Sequence, residues 1–110
     1  MYEYKVKEII KVYDGDTITA VVDLGFSVYS VQRLRLARIN APEIRGRERP
    51  QGLIVRDRLR EILDSAENIT IRTKKDKKGK YGRYIAEVIA DKINVNDLLL
   101  EEGLVELYKE

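Results

Sequence analysis

The stretch Arg33-Leu34-Arg35-Leu36-Ala37-Arg38-Ile39-Asn40-Ala41-Pro42-Glu43 decides how the rest of the chain is read. Leu34 and Leu36 alternate with Arg33 and Arg35, the two-residue period of a half-buried strand. Asn40-Ala41-Pro42 ends that strand, because proline lacks an amide proton and restricts the residue before it. From Gly52 the period lengthens. Val55, Leu59, Ile62, Leu63 and Ala66 share one helical face, with Arg56, Arg58 and Arg60 turned outward. Upstream, residues 4–13 and 17–24 predict two strands, and the third is predicted over 26–39. Asp14-Gly15-Asp16 makes the first turn, where glycine is expected for its tolerance of positive φ. Downstream, residues 69–73 predict a strand, 74–82 a polar connection and 83–90 a fifth strand. Asn94 is placed to cap a short helix over 95–102 that Gly103 ends. Three strands, a helix, two strands and a helix indicate an α+β fold dominated by β. A small closed or nearly closed barrel fits that order and an alternating parallel sheet does not.

Composition narrows the chemistry. A chain of 110 residues, 44% hydrophobic and 36% charged, matches one globular domain spanning residues 1–110. No apolar run approaches ~18 residues, so no membrane-spanning helix is expected. The first residues lack a leader pattern, which makes an intracellular protein the expectation. With no cysteine and no histidine, thiolate chemistry, imidazole bases and nearly all zinc sites are excluded. Catalysis must come from carboxylates, Lys, Arg, Tyr, Ser or Thr, or from a hard metal held by oxygen. The formal net charge of +2 is unevenly distributed. Residues 45–60 carry six arginines against two acids, and residues 72–84 seven bases against one acid. Brought together in space, the two segments would form a face for a polyanion; apart, they are solvated loops.

Four motifs carry the candidate chemistry: Asp14-Gly15-Asp16-Thr17, Arg33-Leu34-Arg35-Leu36, Ile39-Asn40-Ala41-Pro42-Glu43 and Lys80-Tyr81-Gly82-Arg83. Each alone is an ordinary turn, strand or hairpin tip. In this order and spacing the chain resembles the staphylococcal-nuclease-like (thermonuclease) family of calcium-dependent phosphodiesterases, over nearly its whole length. The resemblance implies a five-stranded oligonucleotide-binding (OB-fold) Greek-key barrel with two helices. It also implies a nuclease, endo- or exonucleolytic, acting on DNA and/or RNA with little sequence preference. On it, Asp16 and the Asn40 side chain are calcium ligands, with the Ala41 carbonyl as the third protein ligand. Glu43 is the general base for water, and Arg35 and Arg83 grip the scissile phosphate. Lys80 and Tyr81 contact the nucleotide, while Asp14 and Thr17 support the metal site.

The residue types suit that chemistry. Attack on a phosphodiester builds negative charge on the phosphoryl oxygens, which guanidiniums and a divalent cation stabilise. Without histidine, a carboxylate must take or orient the water's proton. Calcium accepts six to eight oxygen ligands in loose geometry, whereas a two-magnesium site would want more clustered carboxylates. The departures are Asn40 where the family usually has Asp, and Ala41 where it has Thr. Asn40 removes one formal charge, so one weakly bound calcium is expected. The competing expectation is a catalytically weakened or inactive OB-fold module that binds nucleic acid or a protein. A monomer and a weak homodimer are both compatible with the sequence.

Overall fold

In β2 (Thr17–Asp23), Ile18, Ala20 and Val22 are buried while the residues between them are partly exposed. This alternation sets the inside and outside of the whole sheet. β2 pairs antiparallel with β1 (Tyr2–Asp14) before it and β3 (Tyr29–Leu36) after it. The architecture is that of a computed structural model, which describes residues 2–75 and 84–109. β1 is 13 residues long and serves two neighbours, β2 along most of its length and β5 (Ile69–Lys75) through Tyr2 to Lys5. Three register shifts against β2 bend it between them, as bulges do. β5 pairs antiparallel with β6 (Tyr84–Ala90), whose start runs parallel to the end of β3, Leu34 opposite Tyr84. The ring β3–β2–β1–β5–β6–β3 is therefore closed. It is the expected five-stranded OB-fold barrel, and closure leaves few exposed edges.

Three short strands and two helices finish the fold. β4 (Ile39–Asn40) follows a turn at Arg38, and β7 (Ile93–Asn94) extends β6. β8 (Glu106–Leu107) pairs with β4, Asn40 opposite Glu106. α1 (Arg49–Asp64) buries Val55, Leu59, Ile62 and Leu63 against the barrel interior. α2 (Val95–Glu101) is capped by Asn94, whose side chain accepts from the Asp97 amide at 3.0 Å, and it ends before Gly103 at φ 71°. No helix among the described residues is long and apolar enough to cross a membrane.

Several boundaries differ from the expected ones. The third strand was expected over 26–39, but Phe26 and Ser27 adopt left-handed φ of 55° and 61°, forming a hairpin tip. Arg38, at φ 67°, separates β3 from β4. Both breaks lie where β-favouring residues continue, so local pattern could not reveal them. α1 begins at Arg49 instead of Gly52, with proline in its first turn, where the missing amide proton costs nothing. Ala66 falls beyond its end. Most of the polar connection expected over 74–82, and Arg83 at the expected start of the fifth strand, lie outside the described residues.

Candidate active site

Asp14-Gly15-Asp16 links β1 to β2, and its acids fold back onto the backbone. The Asp14 carboxylate accepts from the Asp16 amide at 3.0 Å, and the Asp16 carbonyl accepts from the Leu36 amide at 2.7 Å. Gly15 does not sit at positive φ, contrary to the expectation from its turn. Its role is close approach. A Cβ there would lie 2.4 Å from Val55 of α1 and 2.8 Å from the Ala41 Cβ. The turn, the segment after β4 and the helix therefore meet at one point that only glycine fits.

Asp16 is the centre of the arrangement. One carboxylate oxygen accepts from the Thr17 hydroxyl at 3.0 Å, the other from the Ala41 amide at 2.8 Å. The Arg35 guanidinium stands 3.5 Å from that second oxygen, and its Nη2 is also 3.5 Å from the Asn40 side-chain oxygen. Arg35 Nη1 donates to the carbonyls of Leu36 and Ile39 at 3.0 and 2.9 Å. These bonds hold the guanidinium while its Nε–Nη2 edge keeps donors for a further acceptor. The Tyr108 ring lies 5.5 Å from the guanidinium carbon. β8 and Tyr108, whose amide donates to the Arg38 carbonyl at 2.7 Å, hold the β4 segment from its other side.

The electrostatics favour a cation. Asp14 and Asp16 are each only 7% exposed. Burial, then the adjoining Asp16 carboxylate and more weakly Glu43, push the Asp14 carboxyl up to about 7. The Arg35 guanidinium faces Asp16, and carboxylate and amide oxygens are the donor types an oxygen-preferring divalent ion takes. Among the described residues no three Asp, Glu, His or Cys side chains gather into a metal-binding group. The oxygen donors the structure sets here are the two carboxylates and the Asn40 side-chain oxygen, 3.5 Å from Arg35.

Glu43 reaches the site through a second close contact. A Cβ on Gly52, in the first turns of α1, would lie 2.1 Å from the Glu43 carbonyl oxygen and 3.0 Å from that of Pro42. Gly52 therefore lets the Pro42-Glu43 segment lie directly on the helix. Neither Gly15 nor Gly52 was singled out for contact from sequence. The signal was there for both: a glycine inside an otherwise regular helix, and one between two acids.

The structure thus brings together Asp14, Asp16, Thr17, Arg35, Asn40 and Ala41, and sets Glu43 where its charge reaches Asp14. Lys80, Tyr81 and Arg83 lie outside the described residues. A cavity of about 230 Å³ opens beside Asn40, Ala41 and Pro42. A larger one, about 450 Å³, occupies the barrel mouth between Tyr4, Gln32, Ile71 and Tyr84 and holds none of the site's acids. Asn96 was missed as a supporting residue. Fully buried, it donates to the carbonyls of Ala37 and Ala86 at 2.9 and 3.1 Å and accepts from the Val88 amide, tying α2 to the end of β3.

The profile of the family described as staphylococcal nuclease homologue matches residues 33–110. No curated protein matches the chain. The matched span includes Arg35, Asn40, Ala41 and Glu43, whereas Asp14, Asp16 and Thr17 precede it. The bond from the Ala41 amide to Asp16 joins the two parts.

Proposed function

We propose, from the premise that this chain belongs to the staphylococcal nuclease homologues, a family whose members are typically nucleases, that it is a calcium-dependent nuclease cleaving DNA and/or RNA with little sequence preference. One observation carries the reading: Arg35 of β3 and the Ala41 amide just after β4 both meet the Asp16 carboxylate, and the Asn40 side-chain oxygen stands beside the same guanidinium. Asp16, the Asn40 amide oxygen and the Ala41 carbonyl are the residues that would hold the ion. When bound, it supplies positive charge to the phosphoryl oxygens and lowers the cost of the charge that builds there.

The chain's own residues do the rest. Arg35 presents its Nε–Nη2 edge to the non-bridging oxygens, a planar donor pair matched to phosphate. Its fixation by the Leu36 and Ile39 carbonyls means that little reorganisation is needed as charge develops. Glu43 orients the attacking water and takes its proton. Thr17 and the Ala41 amide hold the Asp16 carboxylate in place. Arg83 completes the grip, with Lys80 and Tyr81 on the nucleotide, in the roles that the family resemblance assigns them.

Asn40 supports a second reading, a weakened or inactive nucleic-acid-binding module. Plasmid and single-stranded DNA incubated with calcium, then with chelator, separate the two. Calcium-dependent digestion that falls about 10²–10⁴-fold in Glu43→Gln supports the nuclease. Retarded DNA mobility without digestion, unchanged in Glu43→Gln, supports the binding module.

A further inference from the structure

The outward face of β1–β3 carries cations that form no ion pair with a described carboxylate, although Glu8, opposite Val21, and Asp23, opposite Tyr29, lie on the same strands. Arg33 stands two residues before Arg35 on β3, so both project from one face while Leu34 between them is buried. Thr19 is the register partner of both Lys11 and Arg33, which puts those bases in one row across three strands. Tyr13 stands among them. The Lys11 ammonium and the Arg33 guanidinium each lie 5.5 Å from its ring centre, and Arg45 donates to its hydroxyl at 3.1 Å. Farther along β3, the Lys7 ammonium sits 4.1 Å over the ring of Tyr29, which is 45% exposed.

Five of the other arginines make a contrast, whereas Arg47 and Arg49 also lack a carboxylate partner among the described residues. Arg38, Arg56, Arg58, Arg60 and Arg72 each face a carboxylate within ion-pair distance. Among the described residues Lys7, Lys11, Arg33 and Arg45 have no such partner. Lys11, Arg33 and Arg45, gathered round the Tyr13 ring, repel one another, a cost that a bound polyanion reverses. Cations alone would suit any acidic surface, but here each cluster is built on a tyrosine ring. Alternating cations and rings match the alternating phosphates and bases of a single strand.

We propose that this face is a subsite for a nucleic-acid strand running from Arg35 past Tyr13 to Tyr29. Arg33, Lys11, Arg45 and Lys7 hold its phosphates, and the exposed Tyr29 ring stacks on a base. From Arg35 to Tyr29 is roughly 20 Å of strand, within the ~4–16 nucleotides one such barrel covers. The direction of the track, away from Arg35, rests on the proposed nuclease site; strand binding itself does not.

The test is fluorescence anisotropy in chelator with labelled oligothymidylates two and twelve nucleotides long. The double variant Lys11→Glu/Arg33→Glu is compared with the charge-matched Arg56→Glu/Arg72→Glu, with thermal melts confirming that both are folded. The native protein should bind the twelve-mer at least tenfold tighter than the two-mer. Lys11→Glu/Arg33→Glu should lose about tenfold or more for the twelve-mer alone, and its dependence on salt should flatten by about 1.4 in log–log slope, two phosphate contacts at ~0.7 each. The control should stay within about threefold, the screening expected of distant charge. Tyr29→Ala should weaken the twelve-mer several-fold and Tyr29→Phe should not. Should the reversed pair fail to fold, Lys11→Ala/Arg33→Ala takes its place with the same expectation. Equal losses in the control, no length dependence, or equal competition by polyglutamate would overturn the subsite. Length-dependent binding lost in the double variant, with no digestion in calcium, would leave the subsite standing and remove only the nuclease reading.

Discussion

Arg35 and Arg38 lie three residues apart around the end of one strand, and the protein treats them in opposite ways. Arg38 gives Nε and Nη2 to both oxygens of Glu87 at 2.8 and 2.7 Å, and Nη2 also reaches Asp97 at 2.7 Å. Two carboxylates answer one guanidinium, locking the turn before β4 to β6 and to the first turn of α2. Arg35 meets one carboxylate at 3.5 Å, and its closer partners are two neutral carbonyls. The first arginine is saturated as a fastener. The second is held firmly yet keeps charge and donors to offer, as the proposed role on a phosphate requires.

The largest expected effect separates these roles. Arg35→Ala should lower the nuclease rate about 10²–10³-fold, the scale of losing one preorganised donor to the transition state. Arg38→Ala should leave that rate within about twofold when assayed well below the melting temperature. It should instead cost about 1–2 kcal/mol in urea melts, because Glu87, 14% exposed in its side chain, keeps a charge without its main partner. The same rate loss in both variants would erase the distinction.

Next comes the contact under Glu43. Gly52→Ala places a methyl group where the Glu43 carbonyl stands, so helix and segment must part. The expected cost is about 1–3 kcal/mol of stability, with a fall in rate of about tenfold or more if Glu43, moved with its segment, acts as the proposed base. Stability unchanged in urea melts would show that the segment yields freely.

Asn40→Asp adds a charge to the set around Asp16. At about 4 Å and an effective dielectric near 20, a unit charge is worth at most ~4 kcal/mol; with solvent relaxation, calcium affinity should rise about tenfold, read by titration calorimetry. Unaltered affinity would place the ion away from Asn40.

The smallest effect concerns pH. Arg38, and then the Asn94 side chain, hold the Glu87 carboxyl below its ordinary value. A carboxylate depressed in the folded state contributes stability that is present above its unfolded pKa, near 4.5, and lost as pH falls through the folded one. Stability below pH 4.5 should therefore fall less steeply in Arg38→Ala than in the native chain. Parallel curves would mean that the pair contributes nothing to acid unfolding.

Much of this was legible before any coordinates. Leu34 and Leu36 showed a strand by their period, Val55 to Leu63 a helix by theirs, and Asn94 announced its cap because that capping bond is local. Of the residues the four motifs named, Asp16, Thr17, Arg35, Asn40 and Ala41 lie within reach of one another in the fold. What escaped was non-local. Phe26 and Ser27 looked like strand until the hairpin needed a tip there. Gly15 looked like a flexible turn residue, when Val55 and Ala41, far away in sequence, are what forbid a side chain. Asn96 looked like a helix residue; its three backbone partners come from Ala37, Ala86 and Val88.

Period, composition and capping are properties of neighbouring residues, so the chain alone was enough to indicate a small β-rich barrel with two helices and to exclude thiolate and imidazole chemistry. Which arginine is saturated and which keeps its charge could be settled only in three dimensions. Coulomb energy and hydrogen-bond geometry depend on distances across the fold, and no spacing along the chain encodes that Arg38 meets Glu87 and Asp97 while Arg33, five residues earlier, meets a tyrosine ring.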